Sequence, residues 1–511
     1  MKKINFIYIS TACMLLLCMA CSKKLDLAPV SSISDANYWK TPDQVDAFVA
    51  GINIAFRNNT GALQSLGEMR ADIFGTDQGS SSAFTGEATQ GVERLWLNNL
   101  DLDNPGVSNY GGFYFNINQI NLLINKLNSN PGLVSAADLK YYQGIAYGMR
   151  AFYYFQLLRT WGKVIIQTEP TTAIDISNLA KAPSAEADVM KLIKDDIDKS
   201  ATSFGTNYTF RNTKSYWSKP ATLMLKAEVY LWTGYRGGAA ADAAIAKTAL
   251  TDIQVNTAGL SLLPSFANVF SASNKGNAEI IFTVRNKLDE AQLPFAGSFF
   301  PQSGLIANFY DSAGSRKFNV TTDNWGGLLR APVKIASFRK FDDKDSRKWA
   351  SIQPAYNMTA GVYTIAGAFV NKYQGEQSAG IRQFTNDFPV YRYADLLLLL
   401  AEAKIMLGED PKNEINLVRA RAFGANYIAA VHGFPNQPGD SDAKNAVLRE
   451  RFFEFIFEGK RWYDLRRMGD SYVFANSSIP SSDTYKLLWP VDRNTLTNNR
   501  SLAQTQGYPA F

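Results

Sequence analysis

Three glutamates at four-residue spacing, Glu450, Glu454 and Glu458, stand in the run AVLRERFFEFIFEGKRWYDLRRMG over residues 446–469. Acid–base work on a glycosidic bond takes a pair of carboxylates, but spacing nominates no such pair in this chain; this stack reads instead as pairing with cations. Like charges at i, i+4 repel by roughly 0.2–0.5 kcal/mol per exposed pair, so this stack calls for counterions. Arg451 can answer Glu454 and Arg461 can answer Glu458 at three-residue spacing, with more guanidinium groups supplied by other helices. A second set joins aromatics to planar amides: Trp96 with Asn98, and Asn324 with Trp325. An aromatic face takes the CH patch of a sugar ring while a fixed amide reaches its hydroxyls. Asp77 and Phe300 lie in the same loop-rich stretches and complete the ligand-binding candidates. Arg70 and Asp72 read as a loop-ordering ion pair.

Other chemistries are closed. The 3 cysteines are Cys13, Cys18 and Cys21, all in or at the end of an N-terminal leader. Cleavage before Cys21 leaves no thiol pair for a disulfide or zinc site. The 1 histidine, His432, sits in VHGFP and reads as a loop residue without a special role. A Ser-His-Asp triad could use only that residue. No metal site, cofactor or catalytic residue is expected, and neither GxSxG nor GxGxxG occurs. With 52 basic against 46 acidic residues and no Lys/Arg block, nucleic acid is not a predicted partner.

The elements that must position these residues are mostly helices. Lys2 and Lys3 precede an apolar stretch over 4–20, a secretory leader rather than a membrane span. Ala20 before Cys21 completes a lipoprotein box, so Cys21 is the expected lipidation site. Thr41-Pro42-Asp43-Gln44 is a capping-box start, followed by a face of Ala47, Phe48, Ile52, Ala55 and Phe56. Residues 67–110 break the periodicity. Helices are predicted over 113–127, over 135–159 (capped by Ser135 and closed by Trp161-Gly162), over 184–199, over 218–232 with Gly234 as stop, and over 239–252. Phe152 to Phe155 read as core. Residues 279–285 form the first convincing strand, and 286–388 read as a second irregular excursion. Helices resume over 391–407 and 416–422, and the helix that opens the 446–469 run meets Gly459 as a stop or kink.

The run Glu450-Arg451, Glu454, Glu458-Gly459-Lys460-Arg461-Trp462-Tyr463-Asp464-Leu465-Arg466-Arg467 resembles the C-terminal signature of the SusD/RagB family. So do LDLxP and YWKT near the N-terminus, RAFYYFQLLRTWGKV, EIIF, the NLVRxRA helix and the tail LLWPVDRNTLTNNRSLAQTQGY. The resemblance implies a mainly α fold, a helical array of tetratricopeptide-like pairs with ligand-facing, loop-rich insertions and few short strands. It implies a lipoprotein signal peptide over 1–20, a lipid-anchored tether over 21–40 and one composite unit over 41–511. Within that unit lie a helical part (41–285, with loop 67–110), an irregular region (286–388) and C-terminal helices and tail (389–511). The implied function is that of an outer-membrane, cell-surface lipoprotein. It would capture oligosaccharides or similar nutrient oligomers, without catalysis, for a SusC-like TonB-dependent transporter. The alternatives are a peptide-binding RagB-like lipoprotein, a secreted carboxylate-dependent glycoside hydrolase and a protein-binding helical scaffold.

Overall fold

The computed structural model describes residues 38–77, 81, 84, 90–172, 180–312 and 316–511. The leader, Cys21 and all but the last three residues of the tether lie outside these. Thr41 opens α1 (Pro42–Asn58) through the reciprocal cap its sequence predicts. The Gln44 N–H donates to Thr41 Oγ1, and the Thr41 N–H donates to Gln44 Oε1 at 3.1 Å. The buried stripe is Val45, Val49, Ile52 and Phe56, so the core face is rotated from the expected one. Phe48 instead covers Trp39 at 4.7 Å and closes the entry to the helix.

Then come α2 (Thr60–Glu68), α3 (Tyr110–Ser129), α4 (Ala136–Trp161), α5 (Glu186–Phe204), α6 (Lys219–Thr233) and α7 (Ala239–Asn256). Successive helices pack on one another, α3 on α4, α4 on α5 and α6 on α7. Ser135 Oγ accepts the Asp138 N–H at 3.1 Å, and Gly162 ends α4 at φ +76 as expected. Phe152, Tyr153, Tyr154 and Phe155 are all buried. Gly234 caps the end of α6 as expected. It keeps a right-handed helical conformation, and a wide turn (Gly234–Gly238) reverses the chain at Gly237, φ +116.

The excursion over 286–388 is less irregular than its sequence suggests. After β1 (Ile280–Val284) it holds two hairpins, β2 (Ile352–Thr359) with β3 (Val362–Val370), and β4 (Glu376–Ser378) with β5 (Ile381–Gln383). Ala360-Gly361 and Ala379-Gly380 form their turns, each with both residues at positive φ. Two-residue turns of this kind match the twist of paired strands. The signal is weak in sequence because alanine stands where asparagine or aspartate would announce it. β6 (Phe388–Arg392) then pairs antiparallel with β1.

α8 (Tyr393–Met406) packs back onto α7 and is followed by α9 (Lys412–Phe423), α10 (Ala443–Phe455) and α11 (Arg461–Met468). The molecule is 51% helical, with helix pairs of tetratricopeptide type. One apolar cluster runs from Val45 to Leu502. His432 closes a short helix (Ala429–His432), stacks on Phe423 at 4.0 Å and accepts the Ile428 N–H on Nδ1 at 2.9 Å. It is a packed residue that organises its own segment, not an idle loop position.

Candidate functional site

The glutamate stack is the frame of the molecule, and its partners are not those that spacing suggests. Glu454 meets Arg392 at 2.6 Å, Arg347 at 3.1 Å and Arg421. Glu458 meets Lys372 at 2.7 Å and Arg392 at 2.8 Å, while Glu450 meets Arg347 at 2.6 Å and Arg419 at 2.9 Å. Arg451 turns instead to Asp395 and Asp464, and Arg461 to Asp72 at 3.0 Å. α10 stops at Phe455, so Glu458 and Arg461 never share a helix. The helix is also enclosed, so its cations arrive from β6, α9 and the segment before β2. Burial works to raise the Glu454 carboxyl, but the guanidiniums of Arg421, Arg392 and Arg347 outweigh it and hold the group far below the usual range. These carboxylates are buried and fully paired. They cannot reach a substrate as acid or base.

Glu68 joins the first excursion to this frame. It has no ion pair among the described residues, and accepts the Phe457 N–H at 2.6 Å and the Gly459 N–H at 2.5 Å. Burial pushes its carboxyl up to about 8. Beside it Gly67 is obligatory, because a Cβ there would lie 1.7 Å from the Gly459 carbonyl oxygen. Beyond α2 the chain threads along the second excursion. Gly75 N–H donates to Pro332 O at 2.9 Å, Lys334 N–H to Ile73 O at 3.0 Å and Ser81 N–H to Ala366 O at 2.8 Å. The two excursions are therefore one surface, assembled from segments some 250 residues apart and hydrogen-bonded backbone to backbone.

The candidate residues divide into groups on that surface. Phe300, Asn324 and Trp325 come together. Phe300 stacks on Phe384 at 4.7 Å, Trp325 meets Phe369 edge-on at 5.1 Å, and Asn324 Oδ1 accepts the Ser303 hydroxyl. Asp77 and Trp96 flank Gly75. Asp77 accepts the Ala336 N–H at 3.2 Å, and the Trp96 ring lies against the Gly75 backbone. Asn98 belongs elsewhere, receiving Arg70 Nε at 2.6 Å and donating to Ser478 Oγ at 3.0 Å. Arg70 is thus not the partner of Asp72. Its guanidinium lies 4.5 Å from the Trp462 ring and 5.0 Å from that of Trp489, and Asp72 pairs with Arg461 and Lys340. Phe300, Trp96, Trp325 and Asn98 are buried, while Asp77 and Asn324 reach the surface.

Two surface groups on the excursion did not emerge from spacing. Arg382, on β5, donates to Asn324 O at 3.0 Å with its guanidinium 5.4 Å from the Trp325 ring. Trp349 is 42% exposed and packs edge-on against Phe338 at 5.3 Å. The Ala379-Gly380 turn was the one local clue to Arg382, and Trp349 was hidden among many aromatics. Planar donors and an open indole face can hold a polyhydroxylated ligand. Among the described residues no cluster of His, Cys, Asp and Glu could hold a metal ion, and no helix is long and apolar enough to cross a membrane.

Helix pairs carrying a loop-built surface define the class of fold. The model of the SusD family matches residues 340–508, and a second model, described as starch-binding and associating with the outer membrane, matches residues 25–231. NanU of B. fragilis is 43% identical, covers 94% of this chain and 100% of its own, and superposes with a TM-score of 0.87. A SusD superfamily protein from Bacteroides vulgatus is 39% identical over 92% of this chain and 100% of its own, with a TM-score of 0.85. SusD-like protein P38 of Formosa agariphila is 25% identical, with 96% of each chain covered. The chain belongs to the SusD family, whose members associate with the outer membrane and bind starch and other glycans, generally without catalysis.

Proposed function

We propose that this protein is a surface lipoprotein, anchored through Cys21, that captures an oligosaccharide or similar nutrient oligomer on its loop-rich face. It passes the cargo intact to a SusC-like TonB-dependent transporter. The observation that carries the reading is the joining of the two excursions into one surface upon a rigid ionic frame. Such a surface can be preorganised for a ligand at little entropic cost on binding. Arg382 and Trp349 supply its polar fork and its open ring, with Asn324 and Asp77 at its edges. The paired, buried state of the clustered glutamates supports binding over hydrolysis.

Calorimetric titration of the purified protein with a panel of neutral and charged oligosaccharides tests this. At least one glycan should bind saturably, and Trp349→Ala or Arg382→Ala should weaken it tenfold or more while the melting temperature stays within about 2 °C. Affinity for peptides alone, or release of new reducing ends, would defeat the proposal.

A further inference from the structure

A cavity of about 450 Å³ opens between α5, the end of α6 and the segment after α11. Leu158, Met190, Trp232, Leu487 and Leu488 make its apolar walls. Arg236 and Arg466 bring two guanidiniums to it, and among the described residues neither has a carboxylate within ion-pair distance, unlike the arginines of the central frame. Among the described residues their hydrogen-bond partners are carbonyls. Arg236 donates to Trp232 O at 3.1 Å and to Arg466 O at 2.7 Å, and Arg466 Nη1 donates to Leu487 O. Arg466 is 7% exposed and its Nε has no partner. A buried guanidinium without a counterion is costly, so an anion brought close to it would be favoured. The wide turn Gly234–Gly238 is what carries Arg236 to the rim, laying its guanidinium 3.7 Å from the centre of the Trp232 ring.

We infer that this cavity is a binding site for a small organic carboxylate, separate from the loop-rich face. The planar fork of each arginine matches a carboxylate, and Trp232 with the leucines takes the carbon body of the ligand. Glu186 and Asp470 also line the cavity, neither within ion-pair distance of the two guanidiniums, so the site already holds two acidic groups. One more negative charge is tolerable there; a phosphate dianion would meet them at greater cost. Burial, deepened by the neighbouring Arg236 and opposed in part by Asp470, pushes Arg466 down to about 10, the state that an incoming anion relieves.

The test uses the full mature chain and the pair glucuronate and glucose, which differ by one carboxylate, with inorganic phosphate as a third probe. Quenching of tryptophan emission and calorimetry at fixed ionic strength are the readouts. Glucuronate should bind saturably, glucose at least tenfold more weakly, and phosphate no better than glucose. Arg236→Ala, at the exposed rim, and Arg466→Lys, which keeps the charge but loses the fork, should each weaken glucuronate tenfold or more. Equal affinity for glucose, preference for phosphate, or unchanged glucuronate affinity in both variants would overturn the inference. Because Trp349 and Arg382 are untouched, failure here leaves the glycan proposal standing, and loss of the glycan proposal leaves this site standing.

Discussion

Glu454 carries the charge balance of the protein interior, and its removal has a calculable direction. Glu454→Gln leaves Arg392, Arg421 and Arg347 short of a buried counterion, which typically costs about 3–5 kcal/mol. Urea denaturation should show a lowered midpoint with an unchanged slope. The pH dependence has opposite signs at two glutamates. Glu454 titrates below its ordinary value in the folded state, so its contribution is full above the unfolded pKa and is lost as pH falls into the acid range. Glu68 titrates above it, at about 8, so its contribution is present below the unfolded pKa of about 4.5 and is lost as pH rises through 8. Stability measured from pH 5 to 8 should therefore fall less steeply in Glu68→Gln than in the parent protein. An identical slope in the two would place the Glu68 proton elsewhere. At this scale the sequence announced that the glutamates needed cations but not which ones. Arg392 lies 62 residues from Glu454, beyond any periodicity argument.

At the scale of elements, local signals were read well where the chain itself supplies both halves of an interaction. The Thr41–Gln44 box, the Ser135 cap and the Trp161-Gly162 ending are of that sort. Elements whose definition is non-local were not legible. The hairpin β2–β3 hid in a stretch rich in glycine and aromatics, and the α1 face was rotated because Phe48 packs on Trp39 instead of the core. The contact of Gly67 with Gly459 is another such case, joining the end of α2 to the turn after α10. Gly67→Ala should force these backbones apart, with a loss of about 1–3 kcal/mol and faster proteolysis within residues 67–110. Wild-type proteolysis rates in that variant would mean that the two segments separate without consequence.

For the whole molecule, the family resemblance read from motifs at both ends agrees with the fold and with relatives that match over nearly the full chain. The candidate ligand residues were less legible, for a physical reason. Tryptophan and phenylalanine are drawn into gaps between loop and core, as Trp96, Trp325 and Phe300 are, so aromatic type marks a loop that is packed as readily as one that binds. Asp77 and Asn324 stayed at the surface because their polar groups are partly satisfied by backbone or hydroxyl neighbours while solvent remains within reach. Under the proposed function the excursions grip the glycan and the helix pairs support them. Hydrogen exchange with and without a saturating glycan, followed by mass spectrometry of the recovered glycan, tests that division most directly. Slowed exchange confined to segments within 67–110 and 286–388, with the glycan recovered at its starting mass, is the predicted result; slowed exchange centred on the helix pairs, or a shortened glycan, would contradict it.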